Sequence, residues 1–194
     1  MAVQLLEDCS PYYARFTFEG ADRVIERVRA AGYTDNGKRF VHHRYDPVFA
    51  QEMLDLIPRS EELHLNVHRF SLLVFKPGLR AYVHKDGRDL NFGINLHIVS
   101  RDDACITSWY DDDTVAGFPH VFIPPDRIVT GVSPAVVRPA RQLVARQGDV
   151  ILFNSNIYHE FDNSASPHER WVLTLREREP TRLSFADAYR VLFS

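Results

Sequence analysis

The feature that most constrains this chain is a succession of short β-branched and aromatic runs, broken by turn residues, that begins near residue 64. HLNVHRFSLLVFK (64–76), LRAYVHKD (79–86), FGINLHIVS (92–100) and ACITSWYDD (104–112) are separated by PG, GRDLN and RDD. That spacing predicts four antiparallel strands joined by tight turns. Further on, QGDVILFNSNIYHEFDN (147–163) holds a Gly148-Asp149 bend feeding the continuously apolar Val150 to Phe153, and RWVLTLRER (170–178) closes the series. Helical periodicity is confined to the flanks. GADRVIERVRAA (20–31) and DPVFAQEMLDLI (46–57) space their apolar residues for one helix face, the second with Asp46 as N-cap and Pro47 in the first turn, and LSFADAYRVLF (183–193) predicts a short closing helix. The fold class is therefore mainly β, a sandwich or barrel padded by helices. Its 194 residues suit one domain, with 1–60 as a helical N-terminal support, 61–180 as the strand core and 181–194 as the C-terminal helix.

A net charge of −3 with mixed signs offers no basic field for nucleic acid or anionic lipid, so neither is expected as a partner and a small-molecule substrate is the simpler expectation. The two cysteines, Cys9 and Cys105, lie in no zinc-type spacing and read as thiols of a reducing compartment. Glu7 and Asp8 interrupt the N-terminus before any long apolar run, and no stretch approaches the roughly 20 apolar residues of a membrane span. A cytoplasmic location is expected.

Strict alternation in LRAYVHKD puts Arg80, Tyr82, His84 and Asp86 on one face and Ala81, Val83 and Lys85 on the other. In the last strand Arg170, Val172 and Thr174 oppose Trp171, Leu173 and Leu175. If the apolar parity packs outward against helices, the polar parity points into the barrel. A polar interior needs an occupant. An imidazole and a carboxylate two residues apart on a strand, their Cβ atoms about 7 Å apart on one side, can converge on a single ion. His159, just past the buried strand, would complete two nitrogens and one oxygen, the set that holds non-haem Fe(II) with open positions. Arg170, eleven residues later, could pair bidentately with a carboxylate inside the barrel.

In this order, His84-x-Asp86, GDVILFNSNIYHEF with His159 and ERWVLTLRE with Arg170, the sequence resembles the Fe(II)/2-oxoglutarate-dependent dioxygenase superfamily over roughly residues 64–178. The resemblance implies a double-stranded β-helix (jelly-roll, cupin-like) core. It also implies Fe(II) held by His84, Asp86 and His159, 2-oxoglutarate as cosubstrate with its distal carboxylate on Arg170, dioxygen as oxidant, and hydroxylation of a substrate C–H with release of succinate and carbon dioxide. Several branches place a serine or threonine two positions after the basic residue, where this chain has Val172. The second hydrogen bond to the carboxylate must then come from elsewhere, and Thr174, Tyr82 and Asn95 are candidates. Relatives that halogenate lack the carboxylate that Asp86 supplies, which favours hydroxylation.

Asn95 and His97 share a face in FGINLHIV and could touch the oxo acid or the substrate, and Trp109 precedes a long proline-rich stretch at 111–147. Long connections of that kind tend to cover sites, so Phe118, His120, Phe122, Arg127, Arg138 and Arg141 are candidate substrate contacts. The substrate itself is expected to be a small molecule such as an amino acid or a natural-product intermediate. Asp111 to Asp113 lack the glycine and closing glutamate of a calcium loop and read as a solvated turn. Two other classes fit the strand pattern: a metal cupin that does not use 2-oxoglutarate, and a jelly-roll module that binds a ligand without catalysis.

Overall fold

The computed structural model describes residues 2–86, 91–119, 131–177 and 183–194. In chain order its elements are β1 (Val3–Cys9), β2 (Tyr13–Phe18), α1 (Ala21–Ala31), β3 (Phe40–Arg44), α2 (Pro47–Leu54), a 3-10 turn (Val67–Arg69), β4 (Ser71–Phe75), β5 (Leu79–Arg80), β6 (Phe92–Val99), β7 (Ile106–Tyr110), α3 (Asp112–Ala116), β8 (Arg141–Val144), β9 (Val150–Asn154), β10 (Tyr158–Asn163), β11 (Arg170–Arg176) and α4 (Phe185–Phe193). The strands form a seven-stranded sheet, β1-β2-β9-β6-β11-β4-β3, and a four-stranded sheet, β5-β10-β7-β8, with antiparallel pairing throughout. This is a jelly-roll core with helices against one side.

The large sheet is amphipathic in the sense the alternation predicts. Ile94, Leu96, Ile98, Val150, Leu152, Leu173 and Leu175 point away from the small sheet and pack with Val24, Ile25 and Val28 of α1, Met53 and Leu54 of α2 and Phe185 and Leu192 of α4. The helices form where their ends are satisfied. Asp46 accepts from the N–H groups of Val48 and Phe49, and Ser184 and Asp187 form a reciprocal capping box, each cap contributing about 1 kcal/mol.

Several local expectations are corrected. The first sixty residues hold three strands besides their two helices; β1 and β3 lie at the sheet edges with largely exposed or half-buried residues, so they lack the buried apolar signature of central strands. Residues 64–70 carry turns and the 3-10 segment rather than strand, with Asn66 bridging to the N–H of His68. The stretch 111–147, read as one long proline-rich connection, contains α3 and β8.

The largest correction concerns residues 79–86. Arg80 lies opposite Asp162, whereas His84 lies opposite His159, so four steps along one chain match three along the other. The extra residue inverts side-chain parity, as a β-bulge does. Leu79 and Ala81 therefore face the interior beside Phe161, Val83 packs outside with Tyr110 and Val132, and His84 turns inward again. Arg80 points to the outer face, where its guanidinium donates to both oxygens of the buried Glu160 at 2.9 and 3.0 Å and pairs with Asp162. The single polar face expected for Arg80, Tyr82, His84 and Asp86 does not exist.

Candidate metal and oxo-acid site

Backbone pairing brings the two histidines together. The N–H of His84 donates to the carbonyl of His159 at 2.9 Å and the reverse bond measures 2.8 Å, which sets the imidazoles side by side with ring centroids 4.7 Å apart. Asp86 follows two residues later, its N–H held by the carbonyl of Ser155. Its Oδ1 lies 3.8 Å from His84 Nε2 and its Oδ2 lies 3.6 Å from His159 Nε2. One ligand atom from each of the three residues falls within 4.8 Å of the others, and among the described residues no other group of three His, Cys, Asp or Glu does so.

The ring orientations are fixed from behind. His84 Nδ1 sits 2.7 Å from the carbonyl of Tyr82, and His159 Nδ1 sits 2.9 Å from the carbonyl of Ile157. A carbonyl only accepts, so each Nδ1 carries a proton and each Nε2 is the ring nitrogen turned toward Asp86. This is the second layer that orients metal-binding imidazoles. Burial pushes His159 down to about 4, against the opposing pull of Asp86, so its ring is neutral near pH 7. Burial would raise Asp86, but the Arg176 guanidinium and the two imidazoles outweigh it and hold the carboxyl down to about 2. Two imidazole nitrogens and one anionic oxygen facing a common point are a donor set that fits Fe(II). His159 Nε2, buried without a hydrogen-bond partner, is an atom that such an ion would satisfy.

Arg170 occupies the deep end. The residue is 0% exposed, its Nη1 donates to the carbonyl of Ile106 at 3.2 Å and its Nη2 to Thr107 Oγ1 at 2.8 Å, and its Nε has no partner. The rings of Phe75 and Phe161 flank the guanidinium. Burial lowers its proton affinity to about 10, which leaves it charged near neutrality. Among the described residues no ion pair joins it to a carboxylate, so its positive charge sits in the interior with no directly bonded counter-ion there.

Around it, Asn95 Oδ1, His97 Nδ1, Trp109 Nε1, Thr174 Oγ1 and Arg176 Nη1 are buried and unpartnered among the described residues. All but Trp109, which is on the small sheet, belong to β6 and β11 of the large sheet: Thr174 lies directly opposite Asn95, and Val172 opposite His97. Asn95 Oδ1 and Thr174 Oγ1 are therefore neighbouring buried polar atoms with no partner among the described residues. His97, pushed well below its ordinary range by burial and then by Arg170, is neutral. Trp109 lies opposite His159 and stacks on Tyr13 at 4.5 Å.

Other expected contacts are placed elsewhere. The Tyr82 side chain is 37% exposed, and its backbone carbonyl is what reaches the site, through His84. Phe118 packs on the outer cluster with Val83, Tyr110 and Val115, because α3 folds over that side of the small sheet. Arg138 and Arg141 are exposed, the latter near the ring of Tyr12. His120, Phe122 and Arg127 lie outside the described residues. Asp112 starts α3 and pairs with Lys85, while Asp111 accepts from Tyr12.

The sequence reading missed Arg176, whose Nη2 lies 2.8 Å from Asp86 Oδ2, and Thr107, which holds Arg170. Arg176 continues the inward parity of Arg170, Val172 and Thr174, so the alternation already contained it. Thr107 carried no comparable signal.

No protein-family model matches the sequence, and no curated protein is similar to it. Similar solved structures exist. An oxidoreductase of the 2OG-Fe(II) oxygenase family from Burkholderia pseudomallei is 12% identical with a TM-score of 0.60, over 86% of this chain and 84% of that one. EvdO2 from Micromonospora carbonacea var. aurantiaca, complexed with 2-oxoglutarate, is 14% identical with a TM-score of 0.57, over 87% of both chains. HygX from Streptomyces hygroscopicus, with nickel, 2-oxoglutarate and hygromycin B bound, is 15% identical with a TM-score of 0.56, over 89% of this chain and 84% of that one. This chain has the double-stranded β-helix fold of 2-oxoglutarate- and Fe(II)-dependent oxygenases.

Proposed function

We propose that the protein is an Fe(II)/2-oxoglutarate-dependent dioxygenase that hydroxylates an unactivated C–H bond of a small molecule. The observation that carries this reading is the pairing of a two-histidine, one-carboxylate cluster with a buried arginine that has no ion-pair partner among the described residues, both on the inward side of the same jelly roll. Bound iron and 2-oxoglutarate would supply the activation of dioxygen, coupled to oxidative decarboxylation of the oxo acid to succinate and carbon dioxide.

The chain's own groups do the rest. His84, Asp86 and His159 would hold the ion, with the carbonyls of Tyr82 and Ile157 fixing the ring orientation that presents each Nε2 to it. Arg170 would take the distal carboxylate bidentately, and a full charge pair away from water is strong enough to fix the oxo acid's orientation. Asn95 or Thr174 would contribute the further hydrogen bond. Trp109, Phe153 and Phe161, around His159, exclude water from the reacting region. The fully buried Arg170 gives the dioxygenase reading its advantage over a metal cupin without oxo acid or a ligand-binding module, which leave that charge unexplained. Location in the cytoplasm fits the free thiols of Cys9 and Cys105, and no described helix is long and apolar enough to cross a membrane.

The test is anaerobic reconstitution with Fe(II) followed by 2-oxoglutarate, watching for the visible charge-transfer band of a metal-chelated oxo acid. Wild-type protein is expected to develop the band and, in air, to release succinate slowly without substrate, while His84→Ala shows neither. Wild-type protein that binds neither metal nor oxo acid would overturn the proposal.

A further inference from the structure

Arg176 stands beside the metal cluster, and strand register carries it there. Across three neighbouring strands Arg176 of β11 lies opposite Gly93 of β6, and Gly93 opposite Phe153 of β9. The side chain is laid across the glycine, with its guanidinium carbon 4.8 Å from the centroid of the Phe153 ring. A Cβ at position 93 would fall 2.4 Å from Arg176 Nη1 and 2.6 Å from Phe153 Cε1, so only glycine leaves room for the cation. The negative face of the ring attracts the charge, and the slot therefore holds the guanidinium as well as fitting it. Nη1 is buried there with no hydrogen-bond partner among the described residues.

From this slot Nη2 reaches Asp86 Oδ2 at 2.8 Å. The two side chains are only 13% and 16% exposed, so water and salt screen the pair little. The same aromatic ring braces a second member of the cluster, because Phe153 meets the His159 imidazole edge-on at 5.4 Å. The two oxygens of Asp86 are consequently unequal. Oδ2 carries the guanidinium, whereas Oδ1 faces His84 Nε2 at 3.8 Å. A carboxylate can hold a cation through one oxygen or through both, and the second mode fills one more coordination position.

We infer that Arg176 is a positioning residue that keeps Oδ2 away from the ion, so that Asp86 ligates through Oδ1 alone and an extra coordination position stays open; Gly93 is the residue that admits it. This rests on the metal-site reading above and adds two residues outside the three ligands. The rival role for Arg176 is to hold the metal-free cluster together by neutralising Asp86. In that case removing the cation would cost metal affinity and leave the number of open positions unchanged.

The probe is Mn(II), whose effect on water-proton relaxation counts the water molecules bound to it. Arg176→Gln is expected to retain Mn(II) but to lose about a third of the relaxation enhancement, one of three open positions. Its Mn(II)-loaded form should bind 2-oxoglutarate about tenfold more weakly, the scale of changes made behind metal ligands. Arg176→Lys returns a cation to the slot and should restore both readings in large part. Gly93→Ala leaves every charged group in the chain and should reproduce Arg176→Gln by crowding the guanidinium out, which keeps the test decisive if Arg176→Gln fails to fold. Arg23→Gln, on the exposed face of α1, should change nothing. A wild-type relaxation enhancement in Arg176→Gln and Gly93→Ala, or loss of Mn(II) from them, would overturn the inference. Wild-type protein that binds no Mn(II) would instead overturn the metal-site reading. If the wild type takes Mn(II) but no 2-oxoglutarate, the dioxygenase reading fails while the water count still reports on Arg176.

Discussion

The two faces of the large sheet are built from the same strands and have opposite chemistry. On the helix side Leu96, Leu152, Leu173 and Val74 are fully buried among apolar neighbours. On the inward side the intervening residues, Asn95, Thr174, His97 and Arg170, are equally buried but keep donors and acceptors unmet. A buried polar atom without a partner costs roughly 1–3 kcal/mol. Such atoms gather on the inward face among the described residues, so the fold is stabilised from the helix side and reserves the inward side for a ligand that completes it.

Substitutions on the two faces should therefore differ in sign. The largest effect is expected at the helix side, where Leu96→Ala should cost about 2–5 kcal/mol of stability, read as a lower urea midpoint. A cost under about 1 kcal/mol would show that this face is not the main source of stability. Arg170→Met should do the reverse and raise the midpoint of ligand-free protein by roughly 1–3 kcal/mol, because it removes an uncompensated buried charge while keeping the volume. A marked loss of stability there would mean that the bonds to Ile106 and Thr107 already satisfy the guanidinium.

A pH series sharpens the same contrast. His97 and His159 are neutral in the fold, with His159 near 4, whereas an unfolded chain takes protons near 6.5. The unfolded state therefore binds more protons as pH falls through that window. Stability is full above about 6.5 and is lost toward pH 4. Metal-free protein should show a urea midpoint that drops between pH 7 and 4.5, and His97→Gln should shallow the slope; a flat profile would contradict the burial of these rings. The smallest effect is expected for Thr174→Val, within about 1 kcal/mol in ligand-free protein because the hydroxyl has nothing to lose. Its influence should appear instead as weaker 2-oxoglutarate binding.

How much of this could be read from the sequence follows from where periodicity survives. The central strands β6, β9 and β11 are buried on both sides and announce themselves as apolar runs, and the parity of Arg170 and Thr174 on β11 follows directly. His84, Asp86 and His159 were legible because their spacing matches the demands of an ion. The edge strands β1 and β3 were not, since one-sided exposure erases the apolar signature. The extra residue between Arg80 and His84 was also invisible: a register slip has no compositional mark, so alternation carried through it assigned Arg80 and Tyr82 to the wrong surroundings. Arg176 was a different case. Its parity was in plain view and was passed over once Arg170 had supplied a cation.

The central claim, that the inward face is a completed site awaiting a metal-chelated oxo acid, is tested most directly by calorimetric titration of 2-oxoglutarate into nickel-loaded wild-type protein and into nickel-loaded Arg170→Met. Stoichiometric binding by the wild type, lost in the variant although its metal is retained, is the predicted result. Equal binding by both proteins, or by neither, would contradict it.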